Sequence, residues 1–122
     1  GVYAARTGEP IDPDIRSRAR VFRSYIDRDL TNPNLRQTDV ARQFGVSDRY
    51  VRAALREAGI SYSRYVLDQR LKKSRQLLRD PELRSSTITE ISFRAGFNSA
   101  SHFGRAFKER YGISPRVFRR GH

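Results

Sequence analysis

The sequence contains no cysteine and no methionine, and only 13 acidic residues stand against 25 lysines and arginines. Without cysteine there is neither a disulfide framework nor a thiolate metal site, which fits a reducing cytoplasm. No stretch approaches the roughly 18 apolar residues of a membrane span, and none has the pattern of a secretory signal. With only two histidines, no phosphate-binding glycine loop and no paired carboxylates at catalytic spacing, the chain offers no metal cluster, no cofactor site and no obvious hydrolytic machinery. Strand-like alternation is also missing, so the chain reads as all-helical. The absent methionine and the aperiodic opening GVYAARTGEP lead us to expect an excised piece of a longer protein.

What is present is positive charge. The formal net charge of +12 over 122 residues points to a polyanionic partner, with nucleic acid favoured over an anionic membrane. The hydrophobic fraction of 37% is modest but enough for a small helical core.

Helical punctuation divides the chain. Asp12 and Pro13 form a helix start, followed by Ile15, Ala19, Phe22, Ile26 and Leu30 at helical spacing, so a helix is expected over about 13–30. A short helix carrying Val40, Ala41 and Phe44 stops at Gly45. Ser47 caps a second, with Val51, Ala54, Leu55 and Ala58 inward, and Gly59 ends it. Two short helices joined by a tight glycine turn are the helix–turn–helix pattern. Residues 62–79 form a longer helix with Leu67, Leu71, Ser74 and Leu78 on one stripe. Thr87 and Glu90 have capping-box spacing before a helix holding Ile88, Ile91 and Ala95, which stops near Gly96. Asn98 or Ser99 caps the next helix, with Phe103, Ala106, Phe107 and Tyr111 inward, and Gly112 ends it. Ser114 and Pro115 open a last short helix.

The two glycine-punctuated segments align with each other. Gly45 matches Gly96; Val51, Ala54 and Leu55 match Phe103, Ala106 and Phe107; Gly59-Ile60-Ser61 matches Gly112-Ile113-Ser114. One residue is added in the second turn and another near the second helix end. This agreement marks a duplication of one supersecondary unit. The domain division that follows is residues 1–11 as linker, 12–61 as a first helix–turn–helix subdomain, 62–80 as a linker helix and 81–122 as a second subdomain. An 18-residue helix is about 27 Å long, against roughly 34 Å per DNA turn. That suits a spacer between two heads in successive major grooves.

The stretch ITEISFRAGFNSASHFGRAFKERYGISPRVFRR closely resembles the signature of the AraC/XylS family of bacterial transcription regulators. The resemblance extends over about residues 13–120. It implies seven helices in two homeodomain-like helix–turn–helix subdomains joined by a helix, and double-stranded operator DNA as the partner. It also implies a sensory or dimerisation domain outside residues 1–122, contact with RNA polymerase, activation more often than repression, and a cytoplasmic, nucleoid-associated protein. The chain by itself is expected to be monomeric, with dimerisation, where it occurs, residing in the domain outside. Three departures stand out: Ser92 replaces a usual alanine, Arg36 stands where a Ser or Thr cap is common, and Gly104 sits inside the second recognition helix.

Reading residues follow from helix periodicity. With Val51, Ala54 and Leu55 inward, Asp48, Arg49, Arg52, Ala53 and Arg56 point out. Arg49, Arg52 and Arg56 are the expected base readers, and the resemblance adds Ala53. Arginine holds guanine O6 and N7 bidentately; Asp48 either favours the helix dipole or accepts from a cytosine amine. On the second helix Ala100, Ser101, Gly104, Arg105 and Lys108 point out, with Arg105, Ser101 and Ala100 as base readers. Ser47, Asn98 and Ser99 at helix starts, with Lys108 and Arg119, are the expected phosphate contacts. His102 is expected to be half-buried or solvated. Phe44, Phe97, Phe103, Phe107 and Phe118 are core. The enzyme alternative, a tyrosine recombinase using His102, Arg105 and Tyr111, suffers from Tyr111 facing the core. A non-specific architectural or RNA-binding protein is the other reading, and it would not need two matched heads.

Overall fold

Seven α-helices carry the chain in the computed structural model, which describes residues 14–121: α1 (Ile15–Arg28), α2 (Gln37–Phe44), α3 (Asp48–Glu57), α4 (Tyr62–Arg79), α5 (Ile88–Arg94), α6 (Ala100–Tyr111) and α7 (Pro115–Gly121). A short 3-10 turn, Pro81–Leu83, lies between α4 and α5, and no strand occurs among the described residues. The expected cap at Asp12 and Pro13, and the linker at 1–11, lie outside the described residues.

The described residues divide into two compact units, one built from 14–27 with 36–62, the other from 28–35 with 63–121. In the first unit α1 buries Ile15, Ala19, Phe22 and Ile26, α2 buries Val40 and Ala41, and α3 buries Val51, Ala54 and Leu55. Phe22 is the centre: its ring lies 5.3 Å from Phe44 and 6.1 Å from Tyr50. Full burial of such a side chain contributes about 1.5–3 kcal/mol. One inward expectation is corrected. Ala58 is exposed, because α3 ends at Glu57 and Gly59, at φ 74°, turns the chain away. The Ile60 N–H closes that end by donating to Leu55 O at 2.8 Å.

The second unit is centred on a row of aromatic rings. Phe97, Phe103, Phe107 and Phe118 follow one another at centroid separations of 5.1, 5.6 and 5.6 Å. Leu71 and Leu78 of α4 and Ile91 and Ala95 of α5 complete this core. The helix read from sequence as a spacer thus buries its apolar stripe in the second unit. The two buried serine hydroxyls on these helices are satisfied by back-bonding: Ser74 Oγ donates to Leu71 O and Ser92 Oγ to Thr89 O, each at 2.7 Å. That is how a serine replaces alanine at position 92 without an orphaned polar group.

Candidate nucleic-acid interface

Each unit carries a helix–turn–helix whose second helix starts on a serine cap. In the first, Gly45 ends α2 at φ 64°, and Ser47 Oγ accepts from the Tyr50 N–H at 3.0 Å. In the second, Ser99 Oγ accepts from the His102 N–H at 3.1 Å. Ser99 rather than Asn98 is therefore the cap; Asn98 stays exposed beside it. Thr87 caps α5 by accepting from the Glu90 N–H at 3.0 Å. Arg36 precedes α2 without a side-chain cap. Asp39 Oδ2 compensates by accepting from the Arg36 N–H at 2.8 Å, half of a capping box.

The outward faces are basic. On α3, Arg49, Arg52 and Arg56 are exposed and Ala53 is half-buried between them, a stripe at helical neighbour spacing. Asp48 is engaged on both oxygens: Oδ1 accepts from Gln37 Nε2 at 2.9 Å, and Oδ2 lies 3.4 Å from Arg52 Nη2. The first contact ties the start of α3 to α2. The second is an exposed i,i+4 pair, worth about 0–1 kcal/mol, that orients Arg52 more than it stabilises the fold.

On α6, Ser101, Arg105 and Lys108 are exposed, while Ala100 and Gly104 are half-buried. The His102 ring is exposed and stands edge-on to Phe97 at 5.8 Å. Tyr111 packs 4.8 Å from Phe107 beneath the Arg75 guanidinium, at the far end of α6 from His102, so the side chains of a recombinase centre are not gathered. Arg119 has an internal role: its Nη2 donates to Leu83 O at 2.7 Å and Arg84 O at 3.0 Å, tying α7 to the turn after α4. Among the described residues no group of His, Cys, Asp and Glu is placed to hold a metal, and no helix is long and apolar enough to cross a membrane. A cavity of about 350 Å³ in the first unit is lined by Arg16, Arg20, Arg23 and Glu57, with Ala19, Ala58 and Ile60, and holds no nucleophile–base pair.

Arg70 and Gln37 escaped the sequence reading. Arg70 lies within a helix whose periodicity marks it only as a solvated arginine, and its bonding partners lie 38 and 40 residues away. Gln37 meets Asp48 across 11 residues, and no local spacing rule connects them.

A family profile described as a helix-turn-helix domain matches residues 40–121. Among similar proteins are the transcriptional activator RhrA of Rhizobium meliloti (strain 1021), 32% identical over 104 residues, covering 85% of this chain and 33% of that protein. Another is the HTH-type transcriptional activator RhaS of Escherichia coli O139:H28 (strain E24377A / ETEC), 37% identical over 83 residues, 67% of this chain and 29% of that protein. The chain thus spans about a third of the length of the curated relatives it matches. Among solved structures, the C-terminal domain of AraT, a response regulator from Geobacillus stearothermophilus, superposes with a TM-score of 0.76 at 31% identity, covering 91% of this chain and 87% of that one. An AraC-type transcriptional regulator from Chromobacterium violaceum gives a TM-score of 0.73 at 28% identity, covering 88% and 94%.

Proposed function

Because the chain belongs to the AraC/XylS-type helix–turn–helix family, a family of sequence-specific DNA-binding regulators rather than enzymes, we propose that it reads an operator with two heads in successive major grooves. Arg49, Arg52, Ala53 and Arg56 of α3 read one half-site; Ala100, Ser101 and Arg105 of α6 read the other. Ser47, Asn98, Ser99 and Lys108 hold the flanking phosphates. Arg119 joins them through whichever guanidinium nitrogens its two backbone carbonyls leave over. By analogy with RhrA and RhaS, which are named as transcriptional activators, the protein acts as an activator, and this reading extends to contact with RNA polymerase.

One observation carries this reading: the same device is built twice. In both units a glycine with positive φ closes the first helix, a serine caps the second, and the second helix shows an exposed basic stripe. Packing alone does not require that stripe. A serine-capped N-terminus offers backbone amides to phosphate, and arginines one turn further on reach base edges.

The test is selection of bound duplexes from a random library at physiological salt, repeated with Arg52→Ala and Arg105→Ala. Two preferred blocks about ten base pairs apart are expected, with each variant relaxing a different block. Each lost bidentate contact corresponds to about 1–3 kcal/mol of discrimination. Enrichment of no sequence over the input library would favour a general polyanion binder and overturn the two-headed reading.

A further inference from the structure

The turns of the two heads are not built alike. Gly45 has open space around the position a Cβ would take. At Gly96, with φ 105°, a Cβ would lie 2.6 Å from Leu30 O, 2.7 Å from Arg70 Nε and 3.1 Å from Thr31 Cα. The second turn is therefore pressed against a loop from far earlier in the chain and against α4, and only glycine permits that approach.

The loop has its own stiffening. Asn32 Nδ2 donates to Asp29 Oδ2 at 3.1 Å, the Asn32 N–H donates to Asp29 O at 3.0 Å, and Asn32 Oδ1 accepts from the Asn34 N–H at 3.0 Å. Arg70 fastens it: Nε donates to Leu30 O at 2.9 Å and Nη2 to Asn32 O at 2.8 Å. These are charge-assisted bonds from one planar fork, stronger and more directional than neutral ones. The guanidinium thus joins three segments of the second unit, namely loop 28–35, α4 and the turn that leads through Phe97 and Asn98 to the Ser99 cap of α6.

We infer that Arg70 is a positioning residue for the second recognition helix, setting base discrimination at one half-site without touching DNA. The inference rests on the two-headed reading above. Loss of the fork frees the loop, the turn at Gly96 loses its backing, and the start of α6 gains freedom just where Ala100, Ser101 and Arg105 must be held. The first head has no such backing at Gly45 and is unaffected.

The experiment is the same library selection, run on the 122-residue chain with Arg70→Ala and with Arg70→Lys, each checked by circular dichroism to be folded at the assay temperature. The second block is identified as the one that Arg105→Ala relaxes. Arg70→Ala is expected to cut discrimination there at least about fivefold, the lower end of what one bidentate arginine–guanine contact supplies, while the first block changes less than about twofold. Lysine keeps the charge but cannot bridge two carbonyls with a planar fork, so Arg70→Lys moves the same block in the same direction. It also decides the matter if Arg70→Ala does not fold. Both blocks intact, or both weakened equally, would overturn the inference, the second result marking Arg70 as a general stabiliser. A single block from the unsubstituted chain would instead sink the two-headed reading, and this inference with it.

Discussion

Gly104 is a residue whose presence the fold does not explain. It lies within α6, and a Cβ built there meets no atom within 4 Å. Alanine would fit, and in a helix interior it is favoured over glycine by about 1 kcal/mol. The aligned residue in the first copy is Arg52, which is exposed and paired with Asp48. Glycine therefore gives up helix stability on the face proposed to meet DNA, where a missing side chain would allow the helix backbone to come closer. Gly104→Ala is expected to raise the melting temperature by roughly 3–6 °C and to lower operator affinity. Thermal unfolding and a binding titration on one preparation check the two signs. A fall in melting temperature would show that the fold itself needs the glycine, and an unchanged affinity would remove the close-approach argument.

At the scale of the element, what was legible was what is local. Caps, glycine stops and apolar stripes act over three or four residues. The serine cap at 47, the glycine turns and the buried faces of α1, α3 and α6 follow from periodicity and side-chain chemistry alone. The limits have the same cause. Asn98 and Ser99 were equivalent candidates until backbone geometry chose between them, and Ala58 read as inward because periodicity does not know where a helix ends. Arg70 and Arg119 tie segments 35 to 40 residues apart, and Gln37 meets Asp48 across a turn, so their roles exist only in the folded chain. The caps make a prediction of two signs. Ser99→Ala removes the acceptor for the His102 N–H and is expected to cost about 1 kcal/mol. Arg36→Ser adds an acceptor where Asp39 already supplies the reciprocal bond, and is expected to stabilise by about 0.5–1 kcal/mol. Urea unfolding of both variants reads the difference directly. Equal midpoints would mean that solvent already satisfies these helix starts.

For the whole molecule the governing quantity is charge. Twelve net positive charges on 122 residues repel one another, and the ion pairs Arg42–Asp39 and Arg52–Asp48 are exposed i,i+3 and i,i+4 contacts, which stabilise little. Several other arginines are laid on aromatic rings instead: Arg75 and Arg79 over Phe118, Arg110 over Tyr111 and Arg18 over Phe22. That arrangement holds cations against the protein without neutralising them. With about six phosphates neutralised, log K against log[salt] is expected to fall with a slope near −5. Lys108→Ala, which removes one of the proposed phosphate contacts, is expected to make the slope shallower by about 0.9 and to weaken all sequences alike. Arg105→Ala is expected to alter sequence preference instead. Titrations of operator and random duplex across a salt series separate the two effects. A slope near zero would remove electrostatics from the account. An equally steep slope for both duplexes, with no difference in affinity, would leave the basic stripes as a phosphate grip alone and take away the reading role assigned to α3 and α6.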